Sequence, residues 1–456
     1  MRKNSKIHPS PLHILSPGQM MVAGFVFLIL LGAVLLTSPL SSANGTSTSF
    51  IDALFTATSA VCVTGLVVVD TSIHWSIFGK VVIILLIQVG GLGFMTLGTL
   101  VALIFGKKIN LRQRILIKEA LNQDELSGSV KLIKKVLKYT MVMEGMGALI
   151  LSFAFIPQFG FLKGIGYSIF TSISSFCNAG FDLMGSISGE YSSIVSYYNR
   201  PLIVFTISAL IILGGIGFPV IINIVNKRHL KKLSLNSKMA LVTTAILIVG
   251  GFLMIFLGEV GHALHGMTLW EKFQVAFFQS VTTRTAGYAT IDLTQFREST
   301  LFVMIILMFI GASPASTGGG IKTTTAAVLF IAVKSFIKNE NEITVQHKRI
   351  NVFTFRKALG IFIIAISIAV LGVYLLSITQ DPKHFDILSC SFEVSSALAT
   401  VGLSLTGSYH LNGVGKVIIM VLMFTGRVGS LTIFTAFISE NKRKRVRYPE
   451  AKVLVG

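Results

Sequence analysis

Apolar runs of membrane-spanning length follow one another along the chain, separated by short polar segments. Six of these runs approach or exceed the roughly 20 residues that a helix needs to cross a hydrocarbon core. They cover residues 20–37, 81–105, 201–225, 240–257, 358–378 and 417–438. Two more, at 139–156 and at 301–310 continued after a break by 323–333, complete eight predicted transmembrane helices. Because further spans follow the first one, we do not expect it to be a cleaved signal peptide.

A shorter element lies between the two spans of each pair and is repeated four times. Residues 50–60, 163–176, 271–282 and 384–398 are mildly apolar and too short to cross a bilayer. Each leads into a segment with one glycine: TSAVCVTGL (58–66), SSFCNAGF (174–181), VTTRTAGY (281–288) and SSALATVGL (396–403). A phenylalanine stands ten residues before each glycine, and the glycines at 65, 180, 287 and 402 are 115, 107 and 115 residues apart. Such repetition indicates one structural unit used four times.

The four short elements are predicted to be re-entrant pore helices. Backbone that leaves a helix at membrane depth is tolerated only where it is buried in protein or lines a water-filled cavity. Glycine permits positive φ, so the carbonyls after each helix could face one axis and replace the hydration shell of a cation. Asp52, Glu271 and Asp386 stand at three of the helix starts, where a negative charge suits the dipole, whereas the second copy begins with Lys163. A single copy could equally be a glycine turn in an ordinary loop; four copies in matching context favour a cation filter.

The candidate filter residues fall into four short groups, and we expect a monovalent cation to bind only at their backbone carbonyls. They are Cys62, Val63, Thr64 and Gly65; Cys177, Asn178, Ala179 and Gly180; Thr285, Ala286 and Gly287; and Ala399, Thr400, Val401 and Gly402. Arg284 is expected to point behind the filter, because a guanidinium on the axis would oppose a cation. The three cysteines lie in no CxxC or Cys/His cluster, and we interpret them as small pore-wall residues rather than metal ligands.

The second spans carry a further glycine pattern, which diverges in the third unit. GGLGF (90–94) and GGIGF (214–218) are interpreted as sites of close helix packing. In the third unit, Pro314 and the glycines at 318–320 should break the span into two half-helices around a loop at 312–322. GGGIKTT resembles a phosphate-binding loop, but Ile321 separates glycine from lysine and no strand precedes it, so nucleotide binding is rejected. We predict that this loop gates the pore beneath the filter.

Two basic residues support the prediction of a gate. Arg427 lies inside an apolar span, where a central arginine usually faces a functional cavity, and its position after Gly426 puts it at the depth of the broken loop. A snorkelling or acid-paired arginine is the alternative, and Lys322 could belong to the gate or to the cytoplasmic side. The candidate gate residues are Ala312, Ser313, Pro314, Ala315, Ser316, Thr317, Gly318, Gly319, Gly320, Lys322 and Arg427.

Composition excludes several other classes of protein. Of the 456 residues, 52% are hydrophobic and only 13% are charged, which excludes an ordinary soluble domain. The net charge of +20 comes from blocks at 2–6, 107–138, 227–238, 334–357 and 442–452, which alternate with segments poor in base. This alternation is the pattern of cytoplasmic loops and argues against nucleic-acid binding. No Ser/His/Asp set, metal-ligand cluster or pair of carboxylates converges, so an enzyme is not expected.

The chain resembles the superfamily of Ktr, Trk and HKT potassium transporters, and most closely its Ktr membrane subunits. The resemblance is carried by the filter glycines, the broken segment ASPASTGGGIKT and the arginine in FTGRVGS. The resemblance covers nearly the whole chain. It implies potassium uptake, with Na⁺ as an activating or coupled ion, by a homodimer in the cell membrane. It also implies a cytosolic nucleotide-binding RCK ring that opens the gate. No cofactor bound by this chain is implied.

The filter sequences leave the strictness of selectivity open. Only the fourth segment contains the string Thr400-Val401-Gly402, and the other three read CVTG, CNAG and RTAG. A less selective monovalent cation channel is therefore an alternative. So is an ion-coupled secondary transporter of another small solute, although such proteins use intramembrane carboxylates and only Glu144 and Glu393 qualify here. In the plant relatives, serine in place of the first filter glycine accompanies sodium transport, so Gly65 favours potassium.

The predicted fold is an all-α membrane protein of four pseudo-symmetric units around one central pore, with eight transmembrane helices and four re-entrant pore helices. The first unit spans 1–110 with an N-terminal cytoplasmic segment, and a cytoplasmic linker at 111–138 precedes the second unit at 139–227. The third unit spans 228–337, the fourth 338–441, and a basic tail occupies 442–456. Both termini are expected in the cytoplasm. The amphipathic run 111–121 within the linker could dock a cytosolic partner or lie on anionic lipid.

Overall fold

One order of elements recurs four times along the chain. The structure, a computed structural model, describes residues 17–93, 129–227, 229–340 and 342–429. Within these ranges each unit consists of a first span, a pore helix, a filter segment and a second span. The prediction of an all-α membrane protein built from four span–pore-loop–span units is confirmed. The continuation of the first unit beyond 93, the run 111–121 and the tail 442–456 lie outside the described residues.

The helices of the four units have the following bounds. Unit 1 contains α1 (Pro17–Thr37), α2 (Phe50–Cys62) and α3 (Ile77–Leu92). Unit 2 contains α4 (Ser129–Phe159), α5 (Phe161–Phe176), the short α6 (Gly185–Ser188), α7 (Pro201–Ile216) and α8 (Phe218–Lys227). Unit 3 contains α9 (Leu235–Glu259), α10 (Leu269–Thr282), α11 (Glu298–Phe309) and α12 (Thr323–Ile337). Unit 4 contains α13 (Val352–Thr379), α14 (Ile387–Ala399) and α15 (Gly413–Val428), and a small antiparallel hairpin of β1 (Thr344–Val345) and β2 (Lys348–Arg349) precedes it.

The first spans are long, continuous and apolar. Gly18–Thr37, Leu132–Phe159, Leu235–Glu259 and Val352–Thr379 have mean hydropathies of 1.6 to 2.8 and are long enough to cross a membrane. Large apolar side chains point outward from them, among them Phe27, Phe153 and Leu257 with 64%, 69% and 72% of their surface exposed. Apolar surface of this extent is stable against lipid and not against water. The protein is therefore a multi-pass membrane protein.

The second span of unit 2 is interrupted as well as that of unit 3, and the described part of the second spans in units 1 and 4 ends at an equivalent glycine. In unit 2, α7 and α8 meet at Gly217 with a bend of 93°. Gly217 has φ of 97°, and Gly93 and Gly429, which end α3 and α15, have φ of 80° and 92°. Each of these glycines stands three residues after the first glycine of its motif, at the point where unit 3 has Pro314. The sequence of GGLGF and GGIGF indicates close packing only, whereas the positive φ shows that Gly93 and Gly217, like Gly429, also end a helix.

The pore helices lie at the centre of the bundle and agree closely with the predicted half-spans. Two of them start as the sequence suggests: Asp386 caps α14 by accepting from Ser389 N–H (2.8 Å), and Thr268 and Glu271 form a capping box on α10. Asp52 instead pairs with Lys416 of unit 4, with 2.6 Å between carboxylate and ammonium. The second copy starts at Gly160 with no side-chain cap. The C-terminal ends of the four pore helices lead into the filter segments, and this arrangement fixes the position of the candidate site.

The loops on either side of each pore helix lie at one end of the bundle. In unit 1, for example, Ala43 N–H donates to His74 C=O across 2.9 Å and joins the two loops. We call this end, formed by residues 38–49, 66–76, 181–200, 288–297 and 403–412, the outer face. The described parts of the linkers between units, at 229–234, 338–340 and 342–351, lie at the opposite end, the inner face.

Candidate ion-binding ring and the loop beneath it

The four filter glycines form one closed ring. In each unit, a Cβ atom added to the glycine would strike the carbonyl oxygen of the residue that precedes the next unit's glycine. The pairs are Gly65 with Ala179, Gly180 with Ala286, Gly287 with Val401, and Gly402 with Thr64. The units therefore follow one another around a single axis, and the spacing between neighbouring backbones leaves no room for side chains at these four positions.

The backbone of the filter segments alternates in handedness. The residue two before each glycine has φ between 52° and 65°, and the glycines have φ between 71° and 94°. These residues are Val63, Asn178, Thr285 and Thr400. Non-glycine residues adopt positive φ rarely and at a cost of about 1–3 kcal/mol, which is retained mainly at functional sites. A positive φ at alternate residues turns successive carbonyls to the same side of the strand, and four strands with this conformation surround the axis with oxygens.

The N–H groups of the same segments are bonded on the side away from the axis. Thr64 and Val401 N–H donate to the carbonyls of Ser59 and Ser396, both at 2.8 Å. The hydroxyls of these two serines accept from Gly65 and Gly402 N–H, both at 3.0 Å. Ala179 N–H likewise donates to Ser174 C=O at 2.7 Å. Because the donors are used behind the filter, the acceptors remain available to a dehydrated cation.

Tyr288 links two filter segments. It follows Gly287 directly, is fully buried, and donates its hydroxyl to Phe181 C=O of unit 2 at 3.1 Å. The matching residues Leu66, Phe181 and Leu403 are buried as well. The bulky residue after each glycine, which the repeat pattern contains, thus packs the ring from its outer side.

Arg284 points behind the ring, as its position suggested. The side chain is 4% exposed, and Nη2 donates to Gly311 C=O of the second span at 3.4 Å. The Cys177 side chain also lies behind the backbone. Its thiol faces Gln88 Oε1 and Glu144 Oε1, at 3.7 and 3.8 Å, and so points towards the neighbouring spans α3 and α4. The backbone lines the axis because the carbonyls turn towards it and these side chains lie on the opposite side.

The predicted gate loop lies directly beneath the ring. Residues 310–322 separate α11 from α12, close to the predicted 312–322. A side chain added at Gly318 would overlap the Thr285 hydroxyl, and one added at Gly319 would overlap the Thr400 hydroxyl. Thr317 is bonded to the Asn178 side chain at 3.2 Å. The loop therefore touches the filter residues of units 2, 3 and 4, and its glycines are required for this close approach.

The other part of the loop is bonded to the interrupted second span of unit 2. Ser313 and Thr317 N–H donate to the carbonyls of Gly215 (2.9 Å) and Gly214 (3.3 Å), and Ala315 C=O accepts from Phe218 N–H at 2.9 Å. These bonds are made with backbone groups that the break at Gly217 releases from the helix. Ala315 lies away from the ring, as does Ser316, whose hydroxyl donates to Ser313 C=O at 2.6 Å.

Arg427 and Lys322 fix the loop in this position. The Arg427 guanidinium donates to Thr317 C=O of the loop and to Gly90 C=O of unit 1, and Nη2 also reaches Gly91 C=O at 3.1 Å. Lys322 Nζ donates to Gly318 C=O at 2.8 Å. Arg427 is therefore bonded to carbonyls inside the protein, rather than snorkelling or paired with an acid. Sequence reasoning could place it at loop depth but could not identify its partners, because they are backbone oxygens.

Acidic side chains lie just outside the ring. Glu393 is fully buried and accepts from the hydroxyls of Ser404 (2.8 Å) and Ser408, which hold the segment after the fourth filter in place. Asp182 follows Gly180 by two residues and accepts from Met184 N–H at 2.8 Å. Burial, with a smaller contribution from the nearby Asp70, raises the pKa of Asp182 to about 7. Carboxylates at the mouth of a ring of this kind attract cations.

Comparison with known proteins gives concordant results. The sequence profile of TrkH, described as a cation transport protein, matches residues 11–446. The chain is 43% identical over 446 residues to the potassium/sodium uptake protein NtpJ of Enterococcus hirae, covering 97% of this chain and 98% of that protein. It is 39% identical over 447 residues to Ktr system potassium uptake protein B of Bacillus subtilis, covering 97% of each. The crystal structure of the potassium transporter TrkH from Vibrio parahaemolyticus superposes with a TM-score of 0.72 at 18% identity, covering 94% of this chain and 87% of that one, and so shares the fold.

Proposed function

The chain belongs to the TrkH family of cation transport proteins, and we propose that it is the membrane subunit of a potassium uptake system that passes K⁺ through the ring of four filter segments. The family consists of cation transporters and is not a family of enzymes. The observation that carries the proposal is the closed order of the four glycines, each against the carbonyl that precedes the next. Oxygens arranged in this way replace the water shell of a dehydrated cation.

The gate proposal rests on the contacts of residues 312–322. The loop blocks the axis where Gly318 and Gly319 meet the Thr285 and Thr400 hydroxyls. Arg427 fastens it to unit 1, and its charge raises the barrier for a cation directly beneath the ring. Opening requires the loop to move away from the Thr285 and Thr400 hydroxyls. We propose that a partner bound at the inner face causes this movement.

The composition of the uptake system is part of the proposal. Relatives named as potassium/sodium uptake and as part of a Ktr system support Na⁺ as a second ion and a multi-component assembly. We infer a homodimer in the cell membrane, with both termini in the cytoplasm and a nucleotide-binding RCK ring on the inner face. The unit boundaries that we propose from the sequence are 1–110, 139–227, 228–337 and 338–441. With these boundaries, each linker between units faces the RCK ring.

A less selective passage of monovalent cations is the second candidate function. Only unit 4 has the TVG string, and the residues before the other three glycines are Thr64, Ala179 and Ala286. Their side chains differ in size and polarity, so the packing that holds the four strands at one radius differs between units. A filter with unequal walls discriminates less sharply between ions of similar size.

The test is ion flux into vesicles that contain the purified protein. Uptake of rubidium, potassium and sodium is measured separately, with and without the cytosolic partner and with and without external Na⁺. Saturable Rb⁺ and K⁺ uptake that exceeds Na⁺ uptake supports the proposal. Equal uptake of all three supports the less selective channel, and absence of cation uptake under every condition contradicts both.

A further inference from the structure

Glu144 is an unpaired carboxyl in the middle of a membrane span. It is the single acidic residue of the segment Leu132–Phe159, and 8% of its surface is exposed. Among the residues that the structure describes, no ion pair includes it. An acidic residue at this depth is costly to keep and marks a functional position by default. The gate and the ring, as described above, do not use it.

The carboxyl lies at the seam between units 1 and 2, directly behind the filter. Oε2 accepts from Nε2 of Gln88 on α3 at 3.1 Å. Oε1 faces the Sγ of Cys177, the first filter residue of unit 2, at 3.8 Å. Gly91 makes room for this arrangement, because a Cβ there would meet the Cys177 sulfur at 2.7 Å. The Cys177 side chain lies between the Glu144 carboxyl and the filter backbone that faces the axis.

The span that carries Glu144 is fixed against the pore helix at this level. Ser172 of α5 donates its hydroxyl to Glu144 C=O at 2.7 Å. One turn further, a Cβ on Gly147 would meet Leu210 of α7 at 2.7 Å, so α4 packs closely on its neighbours. The backbone of α4 that carries the carboxyl is therefore fixed against the pore helix α5 and the second span α7.

The corresponding positions of the other units are apolar. Each first span has a glycine that faces its pore helix, at 32, 147, 251 and 372. The residues three positions before these glycines are Ile29, Glu144, Ile248 and Ala369. The side chains of Ile29 and Ile248 are 7% and 9% exposed, so this position is buried in units 1 and 3 as well. An apolar side chain satisfies the packing at this position, and the fold by itself does not call for an acid.

We propose that Glu144 is a determinant of cation affinity: both oxygens of its carboxyl act as acceptors, towards Gln88 and Cys177, and so place negative charge behind the second filter segment, where it stabilises an ion held by the carbonyls of that segment. The proposal rests on the uptake function proposed above. Arg284, a positive charge behind the ring, is bonded to Gly311 of unit 3, whereas Glu144 lies at the seam between units 1 and 2. In a medium of low dielectric, a charge fixed close to the pathway changes ion affinity without touching the ion.

The test compares Glu144→Gln, which keeps the shape and removes the charge, with Glu144→Asp, which keeps the charge. Initial rates of Rb⁺ uptake into vesicles are measured over a range of Rb⁺ concentrations. Glu298→Gln, at an exposed position on the outer face, is the matched control. We expect Glu144→Gln to raise the KM for Rb⁺ at least about threefold with Vmax within about twofold of the unmodified protein. Glu144→Asp should stay near the unmodified KM.

Two results would overturn the proposal. One is an unchanged KM in Glu144→Gln; the other is an equal loss of Vmax in both variants with no change in KM, which indicates a packing role. If Glu144→Gln inserts poorly, the Rb⁺ concentration that gives half of the thermal stabilisation is measured in detergent for the purified Glu144→Gln, Glu144→Asp and unmodified proteins. An increase of about threefold or more in Glu144→Gln alone supports the proposal, and equal values in Glu144→Gln and the unmodified protein, or the same shift in both variants, overturn it. If the unmodified protein takes up Rb⁺ and Glu144→Gln has a normal KM, only this inference is refuted. If the unmodified protein takes up no Rb⁺, the proposed function is refuted.

Discussion

The ring of Tyr191 in unit 2 stacks on the ring of Tyr409 in unit 4, with centroids 4.2 Å apart and planes 25° from parallel. Units 2 and 4 are not neighbours in the ring of filter glycines, so this contact joins diagonally opposite units. It becomes possible because the outer loop of unit 2 is longer: Gly214 follows its filter glycine by 34 residues, whereas Gly90 follows by 25.

The long loop of unit 2 contacts every other unit. Tyr191 N–H donates to Asp70 of unit 1 at 2.9 Å, and Ile194 N–H donates to Ala289 C=O of unit 3 at 3.2 Å. Ala289 N–H returns a bond to the Ser193 hydroxyl at 3.1 Å. Together with the tyrosine pair, these bonds tie residues 181–200 across the outer face. The loop therefore holds the four units in register at the outer face.

Tyr191→Ala should loosen this loop without changing the inner face. A stacked aromatic pair contributes about 0.5–1.5 kcal/mol beyond its buried area, so its loss should raise amide hydrogen exchange about two- to tenfold across residues 183–200. Tyr374→Ala is the matched control, because Tyr374 is 61% exposed on the lipid side of α13. Exchange that stays unchanged in residues 183–200 would show that the stack does not restrain the loop.

Gly65→Ser should erode the preference for potassium. A serine Cβ would overlap the carbonyl oxygen of Ala179 and would force a residue with a side chain to adopt φ of 93°. Both effects displace the oxygens shared by units 1 and 2, so we expect the ratio of K⁺ to Na⁺ uptake to fall several-fold. Competition between the two ions for Rb⁺ uptake measures the ratio.

The control for this substitution is Gly360→Ser, because a Cβ at Gly360 meets nothing within 4 Å. It should retain the selectivity of the unmodified protein. Unchanged selectivity in Gly65→Ser as well would remove Gly65 from the filter.

The sequence predicts the units well because their signals are local. A glycine, a phenylalanine ten residues before it and a short apolar run are enough to place a pore helix, and α2, α5, α10 and α14 begin and end within about three residues of the predicted half-spans. The break of α7 at Gly217 was missed because glycine serves both close packing and helix termination, and only the observed φ of 97° separates the two roles.

Contacts between units are the part that sequence reasoning could not supply. The partners of Arg427 are carbonyls of residues 317, 90 and 91, and a backbone oxygen leaves no trace in the identity of its residue. The contact between Glu144 and Cys177 likewise requires the packing of α4 on α5. Glu144 itself was visible in the sequence as an acid inside a span, which is the signal that marks it for further study.

Deleting residues 315–318 should raise ion flux. The deletion removes Gly318 from beneath Thr285 and removes Thr317, which is bonded to Asn178 and Arg427. With the obstruction gone, Rb⁺ uptake in the absence of a cytosolic partner should increase several-fold. Equal or lower uptake by a deletion variant that is inserted normally would argue against a gating role of the loop.

Arg427 combines a charge with a set of hydrogen bonds, and two substitutions separate these contributions. Arg427→Ala removes both the positive charge beneath the ring and the bonds to Thr317 and Gly90, so uptake without a partner should rise about threefold or more. Arg427→Lys keeps the charge, but an ammonium cannot reproduce the forked geometry with which guanidinium bridges several carbonyls. If the bonds hold the loop, the lysine variant should leak nearly as much as the alanine variant. If the charge is the barrier, the lysine variant should remain as tight as the unmodified protein. Unmodified rates in both variants would contradict any role of Arg427 in gating.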